Sequence, residues 1–220
     1  MKIAGFKKQS LIDYSGNISS VIFTQGCNFR CGFCHNPDLV LPEKFGKTYD
    51  NDEILAYLKK YAKMLDAVCI TGGEPTMHKD LPLFISKIKD LDLKVKLDSN
   101  GTNPKMLKSL IEQNMVDFIA MDIKHQLKFE LYNKTVGNWI NKDIFTKILN
   151  SINIIKNSEI NYEFRTTVAK GLHKKEDIKI LKEQFGKNYQ IQNFNPEIVL
   201  NKHLEIEPFS KSEYEELLYL

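Results

Sequence analysis

Residues 18–37 read ISSVIFTQGCNFRCGFCHNP, a β-branched and aromatic run that ends at a glycine and leads at once into three cysteines. The run at 18–25 predicts a buried strand, and the glycine- and asparagine-containing stretch after it predicts a loop. Outward from it the same kind of run recurs at DAVCIT (66–71), KVKLDS (94–99), DFIAMDI (117–123), NYEFRTTV (161–168) and YQIQNF (189–194). Helical spacing fills the intervals, over Asp50 to Lys63, Leu81 to Leu91, Pro104 to Gln113, Asp143 to Lys156 and Lys174 to Phe185. Pro104 behind Asn103 suits a helix start. Six strands alternating with helices predict an α/β protein with a parallel sheet and right-handed crossovers, either an open doubly wound sheet or a partial barrel. Ser210 and Glu213 stand at capping-box spacing ahead of Leu217 and Leu218, which predicts a final helix over about 210–220 that packs back on the body. No repeat, low-complexity tract or linker breaks the chain, so one domain over 1–220 is expected.

Composition narrows the function classes. A chain of 220 residues with 42% hydrophobic and 27% charged residues can bury a real core. The formal charge of +3 comes from lysine and glutamate scattered throughout, with no basic arm for nucleic acid. No window approaches the roughly 18 apolar residues of a membrane span, and no long apolar stretch follows the N-terminal lysines. A cytoplasmic protein with neither a nucleic-acid nor a membrane partner is expected. Of the four cysteines, Cys27, Cys31 and Cys34 crowd together and Cys69 stands alone. Such a triplet suits a metal centre in a reducing compartment better than disulfides.

The spacing Cys27-x3-Cys31-x2-Cys34 lets one loop wrap three sulfurs around a cubic cluster. A [4Fe-4S] cube has four irons, so three protein thiolates leave one iron open to a further ligand. The alternative is a structural zinc site with His35 as fourth ligand, though His35 directly beside Cys34 closes a tetrahedron poorly. A plain cluster of buried cysteines is the third alternative.

With Phe33 just before Cys34, the loop resembles the signature of radical S-adenosylmethionine (SAM) enzymes. The resemblance implies a partial (β/α)6 TIM-type barrel and a [4Fe-4S] cluster on Cys27, Cys31 and Cys34. It also implies SAM chelating the open iron, with Phe33 against the adenine. TGGEP (71–75) ends the second of these strands, where Gly72 and Gly73 permit close backbone approach and Glu74 offers a carboxylate to an ammonium. It looks like the family motif that holds the amino group of SAM.

LDSNG (97–101) and MDIKH (121–125) end the next two strands, and parallel α/β folds gather ligand groups at strand C-termini. Both segments are similar to glycyl-radical enzyme activating enzymes. That likeness implies a monovalent cation on Asp98, Ser99 and Asp122 beside the SAM carboxylate, with Lys124 close by. Mutual repulsion between the two carboxylates makes a cation there reasonable. Arg165 matches an arginine of the same group, as a carboxylate partner, a guide for a substrate loop or a barrel salt bridge. Gln192 and Asn195 are candidates for SAM contacts. Asp13, in the opening KQSLIDYSG, is a candidate contact for an incoming peptide, and His35 and Asn36 complete a CHNP sequence seen in these enzymes.

From the cysteine loop to the last strand the chain resembles activating proteins of anaerobic ribonucleoside-triphosphate reductase. The segments YEFRTTVAKGLH and EIEPFSKSEYEEL add to the likeness, while QNFNPEIVL departs from it. The implied activity is reductive cleavage of SAM to a 5′-deoxyadenosyl radical, which takes a hydrogen from a glycine of a partner glycyl-radical enzyme. The implied electron donor is flavodoxin or ferredoxin. Competing expectations are a pyruvate formate-lyase type activase, a small-molecule radical SAM enzyme such as 7-carboxy-7-deazaguanine synthase, and a non-catalytic zinc or iron–sulfur module.

Overall fold

The computed structural model describes residues 1–220. Seven strands form one sheet: β1 (Ile3–Ser10), β2 (Ser19–Thr24), β3 (Ala67–Gly72), β4 (Lys94–Ser99), β5 (Phe118–Asp122), β6 (Asn161–Val168) and β7 (Tyr189–Asn193). They lie in sequence order β1-β2-β3-β4-β5-β6-β7, with β2 to β7 parallel and β1 antiparallel on β2. A doubly wound sheet reverses its strand order part-way. This one never does, so successive crossovers carry the sheet round in one direction as a partial barrel. All six expected strands are present. The edge strand β1 was not expected, because only Ile3 and Ser10 at its two ends are buried and no apolar alternation marks it.

Eight helices accompany the strands: α1 (Pro37–Val40), α2 (Asn51–Tyr61), α3 (Leu81–Lys89), α4 (Pro104–Glu112), α5 (Phe129–Thr135), α6 (Lys142–Lys156), α7 (Lys175–Phe185) and α8 (Lys211–Leu218). Short polar caps start several of them, with Asp50, Asn103 and Asn141 each accepting a hydrogen bond from a first-turn amide. No helix is long and apolar enough to cross a membrane.

Alternation along the strands sorts side chains to two faces. Val95, Leu97, Phe164 and Val168 join the apolar core. The alternate positions Lys96, Asp98, Glu163 and Arg165 meet one another through ion pairs on the other face, inside the barrel. Helix α8 docks through Leu217, 2% exposed, and its start carries the full capping box between Ser210 and Glu213. Ser210→Ala removes the acceptor for the Glu213 amide and is expected to cost about 1 kcal/mol, read from the urea midpoint; Ser210→Gly should cost less.

Candidate active site

The loop after β2 is shaped by backbone bonds before any cofactor is considered. Gly26 donates to the Leu39 carbonyl at 2.7 Å, the Arg30 amide donates to Val136 at 3.2 Å, and the Cys34 amide closes a turn on the Cys31 carbonyl at 3.0 Å. Arg30 Nη1 also donates to the carbonyls of Cys27 and Phe29, at 2.8 Å each. All four cysteines are free, and Cys27, Cys31 and Cys34 line one cavity of about 210 Å³ at the strand C-termini. Burial pushes the Cys27 and Cys31 thiols up to about 12 and raises Cys34 as well, so without a metal they are neutral thiols. No group of three His, Cys, Asp or Glu side chains converges on a single-ion position. Three thiols spread around a cavity fit a multi-iron body, which binds them as thiolates. Two N–H groups face Cys27 Sγ, the Phe29 amide at 3.4 Å and Asn100 Nδ2 at 4.0 Å.

At the end of β3, Gly72 and Gly73 allow close approach, though of protein backbone rather than ligand. A Cβ on Gly73 would lie 1.9 Å from the Gly26 carbonyl oxygen, and Gly72, at φ +110°, packs on the backbone of Thr24. The two turns are tied by Gly73 N–H to Thr24 at 2.9 Å and Glu74 N–H to Gly26 at 2.8 Å. Glu74 departs from expectation too. Its carboxylate is fully buried and accepts from the Thr76 amide (3.1 Å), the Thr76 hydroxyl, Ser99 Oγ (2.9 Å) and the Asn100 amide (2.6 Å). Three of these bonds fall on Oε1 and one on Oε2, so Oε2 keeps an acceptor position while the carboxyl still lines the cavity. Glu74 therefore joins the ends of β3 and β4.

Asp98 and Asp122 are brought together across β4 and β5, and Arg165 fills the space between them. Its Nη2 is 3.3 Å from Asp98 and 3.1 Å from Asp122, and its Nε donates to Asp122 at 3.2 Å. Lys124 Nζ reaches Asp122 at 3.0 Å, and Lys96 lies 3.6 Å from Asp98 and 3.8 Å from Glu163. Burial alone would raise the Asp122 carboxyl, but Lys124 and Arg165 hold it below the usual range. Three carboxylates thus face three cations. The repulsion that recommended a monovalent cation is relieved by the chain's own Arg165, and Ser99 is turned toward Glu74. Asp98 Oδ1 is buried without a hydrogen bond, Lys96 Nζ lying 3.6 Å from it.

Lys124 is positioned from behind. His173 Nε2 bonds its backbone carbonyl at 2.9 Å, and the His173 ring stacks on His125 at 5.0 Å. Burial holds the His173 imidazole at about 4, against an ordinary value near 6.5. A depressed imidazole contributes stability that is present above the unfolded value and lost as pH falls toward the folded one. The urea midpoint of the metal-free protein is expected to drop between pH 7 and 4.5, by about 3 kcal/mol in free energy at most. His173→Gln, which keeps a donor for the Lys124 carbonyl, should flatten that profile. A flat wild-type profile would refute it.

Phe33, His35, Asn36, Gly72, Gly73, Glu74, Ser99 and Gln192 line the same cavity as the cysteines and the charged set. Phe33 is 4% exposed with Lys124 Nζ 6.0 Å from its ring, and His35 packs near Phe194 at 5.8 Å. Two candidates fall elsewhere. Asp13 lies at the opposite end of the barrel, where its side chain bonds Ser10 and pairs with Lys7 at 3.5 Å, because β1 runs antiparallel and its following turn returns to the start of β2. Asn195 caps its own turn through the Glu197 amide and does not line the cavity. The cavity also has Thr71, Asn100 and Thr167 in its wall. Thr167 follows Arg165 by two on the same strand face, so strand alternation alone could have found it.

The model of the radical SAM superfamily matches residues 21–184. The chain belongs to the radical SAM superfamily. This radical SAM protein is 33% identical over 220 residues to MJ1227 of Methanocaldococcus jannaschii, provisionally named a glycyl-radical enzyme activating enzyme, covering 95% of this chain and 86% of that one. It is 30% identical over 199 residues to the 7-carboxy-7-deazaguanine synthase of Rickettsia prowazekii, covering 87% and 76%. Among solved structures, a radical SAM methyltransferase from Sphaerobacter thermophilus shares the fold, with a TM-score of 0.69 at 13% identity over 94% of this chain and 63% of that one. The radical SAM family uses a [4Fe-4S] cluster and SAM, and the three-thiol cavity fits that pair.

Proposed function

We propose that this radical SAM enzyme activates a glycyl-radical enzyme, anaerobic ribonucleoside-triphosphate reductase being the partner best matched by its sequence segments. The observation that carries the proposal is the 33% identity over 95% of the chain to a protein of that provisional name. When bound, the cluster and SAM supply one-electron cleavage of a carbon–sulfur bond to a 5′-deoxyadenosyl radical able to take a glycine Cα hydrogen. The chain supplies the rest. Cys27, Cys31 and Cys34 would hold the cluster, and the turn at 71–75 with Glu74 would receive the SAM ammonium. Lys124 and Arg165, in the same cavity wall, would offer cations to its carboxylate. Phe33 walls the pocket against water, and Gln192, His35 and Asn36 form its edge. A monovalent cation at Asp98 and Asp122 would have to be drawn in by the carboxylate that SAM brings, because the chain's own charges there are balanced.

The test is anaerobic. Reconstituted, reduced protein with SAM is offered either a glycine-bearing peptide from the radical loop of the reductase or a carboxypterin. Deoxyadenosine release with a glycyl radical signal in the electron paramagnetic resonance spectrum supports the activase. Turnover of the pterin alone overturns it in favour of the small-molecule chemistry that the 30% relative's name describes.

A further inference from the structure

Beside the cysteine loop lies an open basin of about 990 Å³ that the cofactor cavity does not use. Arg30, Lys44, Lys134, Lys202 and His203 line it with Glu205 as the one carboxylate. Lys134 and Lys202 are exposed and form no ion pair, and Lys44 lies 3.9 Å from Asp38. The charges of Lys134 and Lys202 are therefore unneutralised, unlike those of Lys124 and Arg165. The Arg30 guanidinium sits 4.8 Å from the ring of Trp139, which is 54% exposed. Arginine and tryptophan on an open surface are the residue types enriched in protein contacts.

Two observations join the basin to the cysteines. Phe33 lines both it and the cysteine cavity, so a single side chain separates them. Gly32, between Cys31 and Cys34, accepts from the Asn201 amide at 2.9 Å, and a Cβ on it would meet Leu204 at 2.9 Å. The basin's wall thus touches the loop between two of the thiols. A second lysine-rich groove, between α4 and α6 with Lys79, Lys105, Lys108 and Lys147, shares no residue with the cavity.

We infer that the basin is the docking surface for an acidic one-electron carrier protein, which gives up one electron to the centre held by the cysteines with no atom transferred. Complementary charge would steer the encounter and make it salt-sensitive. The inference rests on the loop holding a reducible cluster and is independent of which substrate enters the mouth.

The test uses the reconstituted protein and photoreduced flavodoxin as the acidic carrier, with dithionite as a small reductant. Lys134→Glu/Lys202→Glu is expected to slow flavodoxin-driven cluster reduction about tenfold at low salt and to flatten its salt dependence. Dithionite reduction and SAM binding should stay unchanged. Lys105→Glu/Lys147→Glu, with the same change in net charge, should keep the wild-type rate. Equal slowing in both pairs, or none in the first, overturns the inference. So does a first pair that loses only its hold on the glycine-bearing partner. If dithionite reduces neither protein, no reducible cluster is present and the inference falls with it.

Discussion

Arg165→Leu is expected to destabilise the protein by about 3–5 kcal/mol, because it removes one partner from a buried charge set and leaves the others in place. Arg165 is 13% exposed in its side chain and lies within 3.3 Å of Asp98 and 3.1 Å of Asp122, with Glu163 at 3.7 Å. In the variant Lys96 and Lys124 alone face three carboxylates. One of these should then hold its proton to higher pH than it does unfolded, and such a group favours the folded state more as pH falls. The deficit against wild type should accordingly shrink from pH 7.5 to 5.5, which paired urea titrations at the two values would read. Arg165→Lys keeps the charge but cannot bridge two carboxylates with one planar fork, and should fall between. A leucine variant as stable as wild type at pH 7.5 would show that the charge set does not depend on its central cation.

The second large effect is expected at Gly73. In Gly73→Ala the new Cβ would stand 1.9 Å from the Gly26 oxygen, and the obstacle is backbone that cannot rotate aside. Either the TGGEP turn or the start of the cysteine loop must move, costing about 3 kcal/mol or more, at the upper end of overpacking effects. The loss should appear twice, in the urea midpoint and in a fall of bound iron per chain after reconstitution. Gly46→Ala, with open space around its Cβ and ordinary φ, is the control and should change neither. A Gly73→Ala protein with a wild-type midpoint and full iron would mean that the two turns are not rigidly joined.

Most of the barrel was legible because buried parallel strands write themselves as short apolar runs, and KVKLDS and NYEFRTTV fall on β4 and β6 residue for residue. Helix boundaries followed from caps such as Asn103 and Ser210. Strand β1 escaped because an edge strand with three exposed residues, Lys7, Lys8 and Gln9, carries no alternation. Helix α5 escaped because it is seven residues long and starts at Lys128 without a side-chain cap. At the site, residue types and strand ends located the cavity, but the direction each group faces is a tertiary fact. TGGEP does not reveal that Glu74 turns inward to Thr76, Ser99 and Asn100. Nor does an Asp in an opening turn reveal that β1 runs backwards and carries Asp13 to the far end.

That far end has a consequence of its own. The turn after β1 lies beneath the barrel, where the Asp13 carbonyl accepts from Lys96 Nζ at 2.7 Å and the Tyr14 ring packs on Phe118 at 5.6 Å. The segment works as a stopper. Covered below by this turn, the barrel opens its cysteine-lined cavity at the other end, so a short-lived reactive species made there meets what stands at that mouth. The least conspicuous strand of the sheet thereby helps decide where the chemistry is discharged.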